Sequence, residues 1–416
     1  MTTPRLLTIM GSGETAPTMM KPHRDLIARL GGDARAVVLD TPYGFQENAP
    51  ELASRAVEYF RKSVGHAIEV AGLTRVHDED PVVVEQAMSR LRRADYLFAG
   101  PGSPTYALTQ WAGSAVPDVV RSKMREGGAV TFASAAALTL GRFTVPVYEI
   151  YKVGMEPHWL EGLDVLGEIG LNVAVIPHYD NAEGGHHDTR FCYLGERRLA
   201  LLEGLLPDDA HVIGVDEHTG VILDLDADTA TVIGNSTITV RVRGESTVYR
   251  TGEVLPIDAL RNPGRTSSTV VAVAPTETAT ELDEGPAPTS LGARSSAIEA
   301  EFDSAIARGD AAGAVRCVLE LESEISAWSA DTLQSNEMDL ARAALRAMIA
   351  RLGELAVGGL ADPRAVVGPY MEVILEVRRA VRADKRYDLS DLIRDHLAAI
   401  GVEVRDTPTG AEWHLT

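Results

Sequence analysis

Residues 129–141 read AVTFASAAALTLG. A short apolar, β-branched run passes directly into small residues, the pattern of a buried strand turning into a helix, with Ser134 at the turn. A serine there projects its hydroxyl from a sheet edge, and N–H groups at the following helix start can receive an oxyanion. Outward from this stretch the same form recurs in RLLTIMG (5–11), AVVLDTP (36–42), YLFAGPG (96–102), NVAVIPH (172–178), HVIGVDE (211–217) and ATVIGNS (230–236), most of them ending in Gly, Pro or small polar residues. Between them NAPELASRAVEYFRKSVG (48–65), PVVVEQAMSRLRRA (81–94) and VPDVVRSKMREGG (116–128) carry helical spacing. Strands alternating with helices of this length predict an α/β fold with a mostly parallel, doubly wound sheet covered on both faces. The later TATVIGNSTITVRVRGESTVYRTGE (229–253) reads as antiparallel strands closing the domain. In such folds ligands bind at the carboxyl edge of the strands.

The chain has 416 residues, 45% hydrophobic and 24% charged, which fits an ordinary globular protein of two or three domains. Its organisation is expected to be an α/β domain over 1–262, a Pro/Thr/Ser-rich linker over 263–295 and an α-helical bundle over 296–416, where LARAALRAMIARLGELA (340–356) and its neighbours keep helical spacing. The N-terminal apolar stretch is too short for a signal peptide, and no apolar run has membrane-spanning length. A cytoplasmic protein without membrane partners is expected. The only cysteines, Cys192 and Cys317, exclude a disulfide framework or a Cys-rich zinc site. A net charge of −21 repels polyanions at long range.

VIPHYDNAEGGHHDTRFCYLGERR (175–198) concentrates His178, His186, His187, Asp188 and Arg190 after one strand, and Asp216, Glu217 and His218 end the next. A serine, a histidine and an acid at the carboxyl ends of three strands is what nucleophilic catalysis requires: the imidazole accepts the hydroxyl proton and the acid fixes its tautomer. The spacing of His186, His187 and Asp188 fits no zinc signature, so no metal and no cofactor are expected. Arg190 is read as an anion clamp, and Cys192, lacking a strand-turn-helix context, as a buried thiol rather than a nucleophile.

Taken in order, LFAGPGSPTYAL (97–108), FASAAA (132–137), IPHYDNAEGGHHDTR (176–190) and GVDEHTGVIL (214–223) resemble peptidase E (aspartyl dipeptidase) and cyanophycinase, the serine-peptidase branch of the class I glutamine amidotransferase-like fold. The resemblance implies Ser134 as nucleophile, His178 as general base and Glu217 as the acid of a Ser-His-Glu triad. It implies Glu149 as an acidic substrate contact. From their polar density alone, His186, His187, Asp188 and Arg190 are read as substrate contacts, with a metal site and a hydrogen-bonded loop that merely holds its shape as the competing readings of His186, His187 and Asp188. Two departures stand at the turn: the family's glycines are Phe132 and Ala136 here, which predicts a crowded elbow. Pro101 has no N–H, so the oxyanion donors fall to Gly100 or Gly102 together with Ala135.

Residues 376–416, EVRRAVRADKRYDLSDLIRDHLAAIGVEVRDTPTGAEWHLT, resemble the C-terminal end of cysteinyl-tRNA synthetase, and the helices from about Glu299 resemble its bundle more loosely. No HIGH-like or KMSKS-like segment accompanies them. The resemblance implies a tRNA-contacting module through Arg378, Arg382, Lys385 and Trp413. Residues 297–416 nevertheless carry 13 Lys and Arg against 21 Asp and Glu. The competing reading of the basic stripe is a helix face paired with acids, and that of Trp413 a plug holding the C-terminal strand. The expected activity is hydrolysis of a small amide, dipeptide-like or aminoacyl bond through an acyl-enzyme, by a chain able to form a homo-oligomer. The alternative is a non-catalytic regulatory protein that binds tRNA or a protein, its hydrolase domain degenerate.

Overall fold

The computed structural model describes residues 3–184, 186–264, 271–272, 290–331, 336–359, 363–407 and 410–415. They form two compact units, residues 1–300 with 319–342 and residues 301–318 with 343–416. Most of the expected linker lies outside the described residues; helix begins at Leu291, so residues 291–295 are helical.

The strands of the first unit are β1 (Arg5–Met10), β2 (Ala36–Val38), β3 (Ile68–Val70), β4 (Tyr96–Ala99), β5 (Gly128–Ala133), β6 (Phe143–Thr144), β7 (Leu160–Glu161), β8 (Val173–Ile176), β9 (His211–Val215), β10 (Thr219–Asp224), β11 (Thr229–Gly234), β12 (Thr237–Val242), β13 (Glu245–Arg250), β14 (Glu253–Pro256) and the short β15 (Val271–Ala272). They make two sheets, ordered β15-β14-β11-β10-β1-β5-β4-β2-β3 and β13-β12-β9-β8-β6-β7. The α/β class holds, with a division of labour: β1, β5, β4, β2 and β3 pair in parallel, as do β6, β8 and β9. The later strands add on antiparallel, and β11 and β12, contiguous in sequence, go to different sheets. Short two-residue turns make antiparallel neighbours cheap to add, whereas parallel pairs need a crossover helix.

The crossover helices are α1 (Met20–Leu30), α2 (Ala49–Tyr59), α3 (Pro81–Arg93), α4 (Pro104–Trp111) and α5 (Val116–Glu126), followed by α6 (Ser134–Ala137), α7 (Val147–Tyr151), α8 (Gly195–Gly204) and α9 (Asp258–Arg261). Local sequence explains their starts. Asp80 caps α3 by accepting from Val82 N at 2.8 Å with Pro81 in the first turn, and Ser103 caps α4 by accepting from Tyr106 N at 3.2 Å with Pro104 following. The apolar face of α3, Ala87, Met88 and Leu91, is buried. β1 shows why both sheet faces are covered: Leu7 and Ile9 enter one core with Val37, Leu97, Val130 and Phe132, while Leu6 and Met10 enter another with Val38, Tyr96 and Phe98. Each such fully buried side chain contributes about 1.5–3 kcal/mol.

Further on come α10 (Leu291–Ala307), α11 (Ala311–Ala327), α12 (Glu337–Gly359), α13 (Pro363–Ala383) and α14 (Tyr387–Ala399), then a hairpin of β16 (Val402–Thr407) and β17 (Gly410–Leu415). In the second unit Met371 and Leu375 of α13, Leu397 of α14 and Val402 and Val404 of β16 form a core that Trp413 packs against. No helix among the described residues is long and apolar enough to cross a membrane.

Candidate active site

The end of β5 and the start of α6 make a tight elbow: Ala133 is extended and Ser134 has φ +48°, in the left-handed region. Strain of this kind costs about 1–3 kcal/mol and is kept where the surroundings impose it. Ala136 N donates to Gly100 O at 3.2 Å, tying the loop after β4 to the elbow. Phe132 and Ala136 stand where small glycines were expected, and both are fully buried in one core, the Phe132 ring centroid 5.6 Å from that of Trp111.

β8 is followed by Pro177 and His178, whose own φ is +49°. The turn is held from three sides: His178 O accepts from Asn181 N at 3.2 Å and Cys192 N at 3.0 Å, and Tyr179 N donates to Val215 O at 3.1 Å. The imidazole then reaches Ser134 Oγ with Nε2 at 2.9 Å and Glu217 Oε1 with Nδ1 at 2.9 Å. A single tautomer satisfies both contacts, with the proton on Nδ1 donated to Glu217 and Nε2 accepting from the hydroxyl. Glu217, just beyond β9, is itself held: Asn181 Nδ2 donates to the same Oε1 at 3.1 Å, and Asp180 Oδ1 accepts from Glu217 N at 2.7 Å. Burial acts to lower the His178 pKa, but the hydrogen bond and charge of Glu217, aided by the charges of Glu14 and Glu183, outweigh it and leave the imidazole above its ordinary 6.5. Burial likewise pushes Glu217 up, and its bonds to His178 and Asn181 bring it below the usual carboxylate value.

The neighbours of Glu217 are structural. Asp216 accepts from Ser236 Oγ at 2.7 Å and from Thr237 N at 3.0 Å, closing the turn into β12. His218 bonds Thr18 Oγ1 through Nδ1 at 2.9 Å. Glycine at position 11 is needed here: a Cβ would stand 2.0 Å from the Asp216 carbonyl oxygen, where the ends of β1 and β9 converge.

Ser134 and His178 line a cavity of about 600 Å³ together with Gly100, Pro101, Gly102 and Ala135. Gly102, φ +142°, packs on the chain at Pro42 so closely that a Cβ would be 2.1 Å from the Pro42 carbonyl oxygen. Tyr148, Tyr151, Tyr193 and Lys152 add an aromatic wall, with Tyr151 and Tyr193 stacked at 5.0 Å and Lys152 Nζ 4.9 Å above the Tyr148 ring. Cys192 also lines it, buried, its thiol pushed up to about 12 by burial and by the Glu217 charge.

The other expected substrate contacts lie elsewhere. His186, His187, Asp188 and Arg190 are exposed and stand outside the cavity lining. Arg190 is spent on Asp188, in a bidentate pair at 2.8 and 2.9 Å, and Asp188 also accepts from Glu196 N at 2.9 Å, so this cluster shapes its loop. Half-buried Glu149 accepts from Thr105 Oγ1 at 3.0 Å, linking α7 to α4. Asn181, Asp180 and the three tyrosines were not singled out by sequence. Asn181 and Asp180 follow His178 within three positions, and that proximity was the available signal.

In the second unit Arg378 is 2% exposed, with Nη1 and Nη2 on Asp406 at 2.6 and 3.0 Å. Arg382 Nη1 bonds the same carboxylate at 2.5 Å. The expected phosphate-facing stripe is therefore corrected: two of its three cations are turned onto β16, and Arg378 is inaccessible. Lys385 remains exposed at the end of α13, with φ +60°, and Trp413 is half-buried against the core.

No family model matches the chain. Among solved structures it is similar to a peptidase from an acI-B1 Actinobacterium, at 19% identity and a TM-score of 0.50, over 61% of this chain and 97% of that one. That likeness shows the α/β fold. Among curated proteins the chain is similar to the cysteine–tRNA ligase of Petrotoga mobilis, 58% identical over 43 residues, which are 10% of this chain and 9% of the ligase. It is also similar to that of Chlorobium luteolum, 36% identical over 93 residues, 21% and 19% of the two chains. The chain thus spans about a tenth to a fifth of the length of these curated relatives.

Proposed function

We propose that the chain is a serine hydrolase acting on a small peptide-like or aminoacyl bond. The observation that carries this reading is the unbroken relay from Ser134 Oγ through His178 to Glu217, each contact 2.9 Å, on an elbow whose serine holds a positive φ. As Ser134 Oγ attacks the substrate carbonyl carbon, its proton passes to His178 Nε2. The imidazolium so formed is stabilised by Glu217, and the carbonyl oxygen, now an anion, is received by the N–H of Ala135 with that of Gly100 or Gly102. His178 then gives the proton to the leaving amine or hydroxyl, the bond breaks, and an ester to Ser134 remains. Water attacks that ester with His178 again as base, releasing the acid and restoring the serine. The fold likeness to a peptidase supports the class of bond.

Reactivity toward a fluorophosphonate probe tests the proposal. Wild-type protein is expected to label at Ser134, and Ser134→Ala and His178→Ala to abolish labelling; labelling that survives Ser134→Ala ends the reading.

A second reading of the substrate's carrier follows from the short matches to cysteine–tRNA ligases: the bond cleaved is the aminoacyl ester at a tRNA end, and the C-terminal region docks the tRNA. With Arg378 and Arg382 turned onto Asp406, docking falls to the exposed Arg379, Lys385 and Arg386. A low-salt gel shift of the full chain with bulk tRNA tests it, and no shift at micromolar protein removes it.

A further inference from the structure

Phe191, Cys192 and Tyr193 have φ of +61°, +55° and +65°, three consecutive residues in the left-handed region and none of them glycine. L-residues enter that region rarely and singly, because Cβ crowds the following carbonyl oxygen, so three in a row persist only where the surroundings impose them. Here the backbone beside the relay does so. Cys192 N donates to His178 O at 3.0 Å and Phe191 N to Tyr179 O at 2.9 Å, while Tyr193 N donates to Thr189 O at 2.8 Å. The strained segment thus hangs from the residues that carry the imidazole. Its last side chain, Tyr193, lines the cavity of Ser134 and His178, and its hydroxyl donates to Glu183 Oε2 at 2.7 Å, which fixes the ring's orientation. α7 brings Tyr148 and Tyr151 to the same cavity, three positions apart and so on one helix face. Tyr151 stacks on Tyr193, with centroids 5.0 Å apart and planes at 28°, whereas one face of Tyr148 is taken by Lys152 Nζ at 4.9 Å.

We propose that the Tyr151–Tyr193 stack is the subsite for an aromatic side chain of the substrate, which narrows the substrate class to peptide-like or aminoacyl compounds that carry a ring; this rests on the hydrolase reading. Both tyrosines are half-buried on the cavity wall. The cavity, about 600 Å³, has room for a side-chain ring in addition to the amide or ester beside Ser134. An aliphatic side chain gains there only the area it buries. A ring gains in addition the attraction between its electropositive edge and the electron-rich tyrosine faces, worth about 2- to 12-fold in affinity. The two rings are held before substrate arrives, Tyr193 by its tethered backbone and its bond to Glu183 and Tyr151 by the stack, so little side-chain freedom is lost on binding.

The test is protection of Ser134 from a fluorophosphonate by L-phenylalanine amide and by its saturated counterpart, L-cyclohexylalanine amide, on the full chain. The saturated side chain has nearly the same outline and is more hydrophobic, so burial alone favours it. Wild type is expected to be protected by phenylalanine amide at about 2- to 12-fold lower concentration. Tyr151→Leu and Tyr193→Leu are each expected to bring that ratio to one or below, and Tyr193→Phe, which keeps the ring, to leave it above one. A wild-type ratio at or below one overturns the inference whatever the variants do. So does a ratio that either leucine variant leaves intact, or one that Tyr193→Phe lowers as far as Tyr193→Leu, since the hydroxyl and not the ring would then decide. Absence of labelling in wild type overturns the hydrolase reading and this inference with it, whereas labelling without preference for the ring overturns the inference alone.

Discussion

Replacing Glu217 by glutamine removes a charge while keeping the shape, and the structure fixes what the amide does. Two donors, His178 Nδ1 at 2.9 Å and Asn181 Nδ2 at 3.1 Å, converge on Oε1. An amide NH₂ placed there would face both donors, so the glutamine carbonyl must take the position and the His178 tautomer is preserved. What is lost is the difference between a charge-assisted and a neutral hydrogen bond to the imidazolium in the transition state, about 1–1.5 kcal/mol, hence roughly 5- to 10-fold in kcat. A tautomer flip would cost about 10⁴-fold. The pH profile adds a signed check. His178 must be neutral to act, its pKa is held above 6.5, and so activity is lost as pH falls through a value above that of an ordinary histidine. Glu217→Gln removes the main group raising the pKa, and the acid limb shifts to lower pH. Steady-state kinetics from pH 5 to 9 on both proteins measure both effects. An acid limb that stays put, or a kcat unchanged by the substitution, refutes the relay.

Two further outcomes follow from packing. Phe132→Ala is expected to lower stability by about 3–5 kcal/mol, read as a fall in Tm, because a fully buried ring against Trp111 leaves a cavity. Arg378→Ala is expected to destabilise the second unit by about 1.5–3 kcal/mol in denaturant unfolding, through loss of the charge-assisted bonds by which the buried guanidinium braces α13 on Asp406. Its effect on tRNA binding at fixed folded concentration should be small.

Most of the α/β unit was legible because its signals are local. Apolar runs bounded by Gly and Pro mark β1, β2, β4, β5, β8 and β9, and Ser134, His178 and Glu217 each follow one of them, which is why three residues far apart in sequence are brought within bonding distance. Sheet membership was not legible: β11 and β12 have the same period and a two-residue connection, and only tertiary packing sends them to different sheets. For the loop cluster from His186 to Arg190 the sequence leaves substrate binding and a shape-holding loop both open. Polar density marks a site only if the side chains converge on a cavity, and Asp188 and Arg190 satisfy each other instead. The basic stripe on α13 is left open likewise, because its partner, Asp406, is 28 residues from Arg378 and reaches it through a hairpin that helical periodicity does not describe.

Ser134 leaves the larger sheet, at the end of β5, whereas His178 and Glu217 leave the smaller one, at the ends of β8 and β9. The 2.9 Å contact between serine and imidazole therefore joins residues of two sheets that share one core and are linked by the short segment carrying Glu217 between β9 and β10. A shift of about an ångström between Ser134 and His178 would break that contact without requiring any strand pairing to be lost. On the proposed relay, turnover is expected to fade on warming or in mild denaturant while circular dichroism still reports a native backbone, and turnover lost only together with the dichroism signal refutes this.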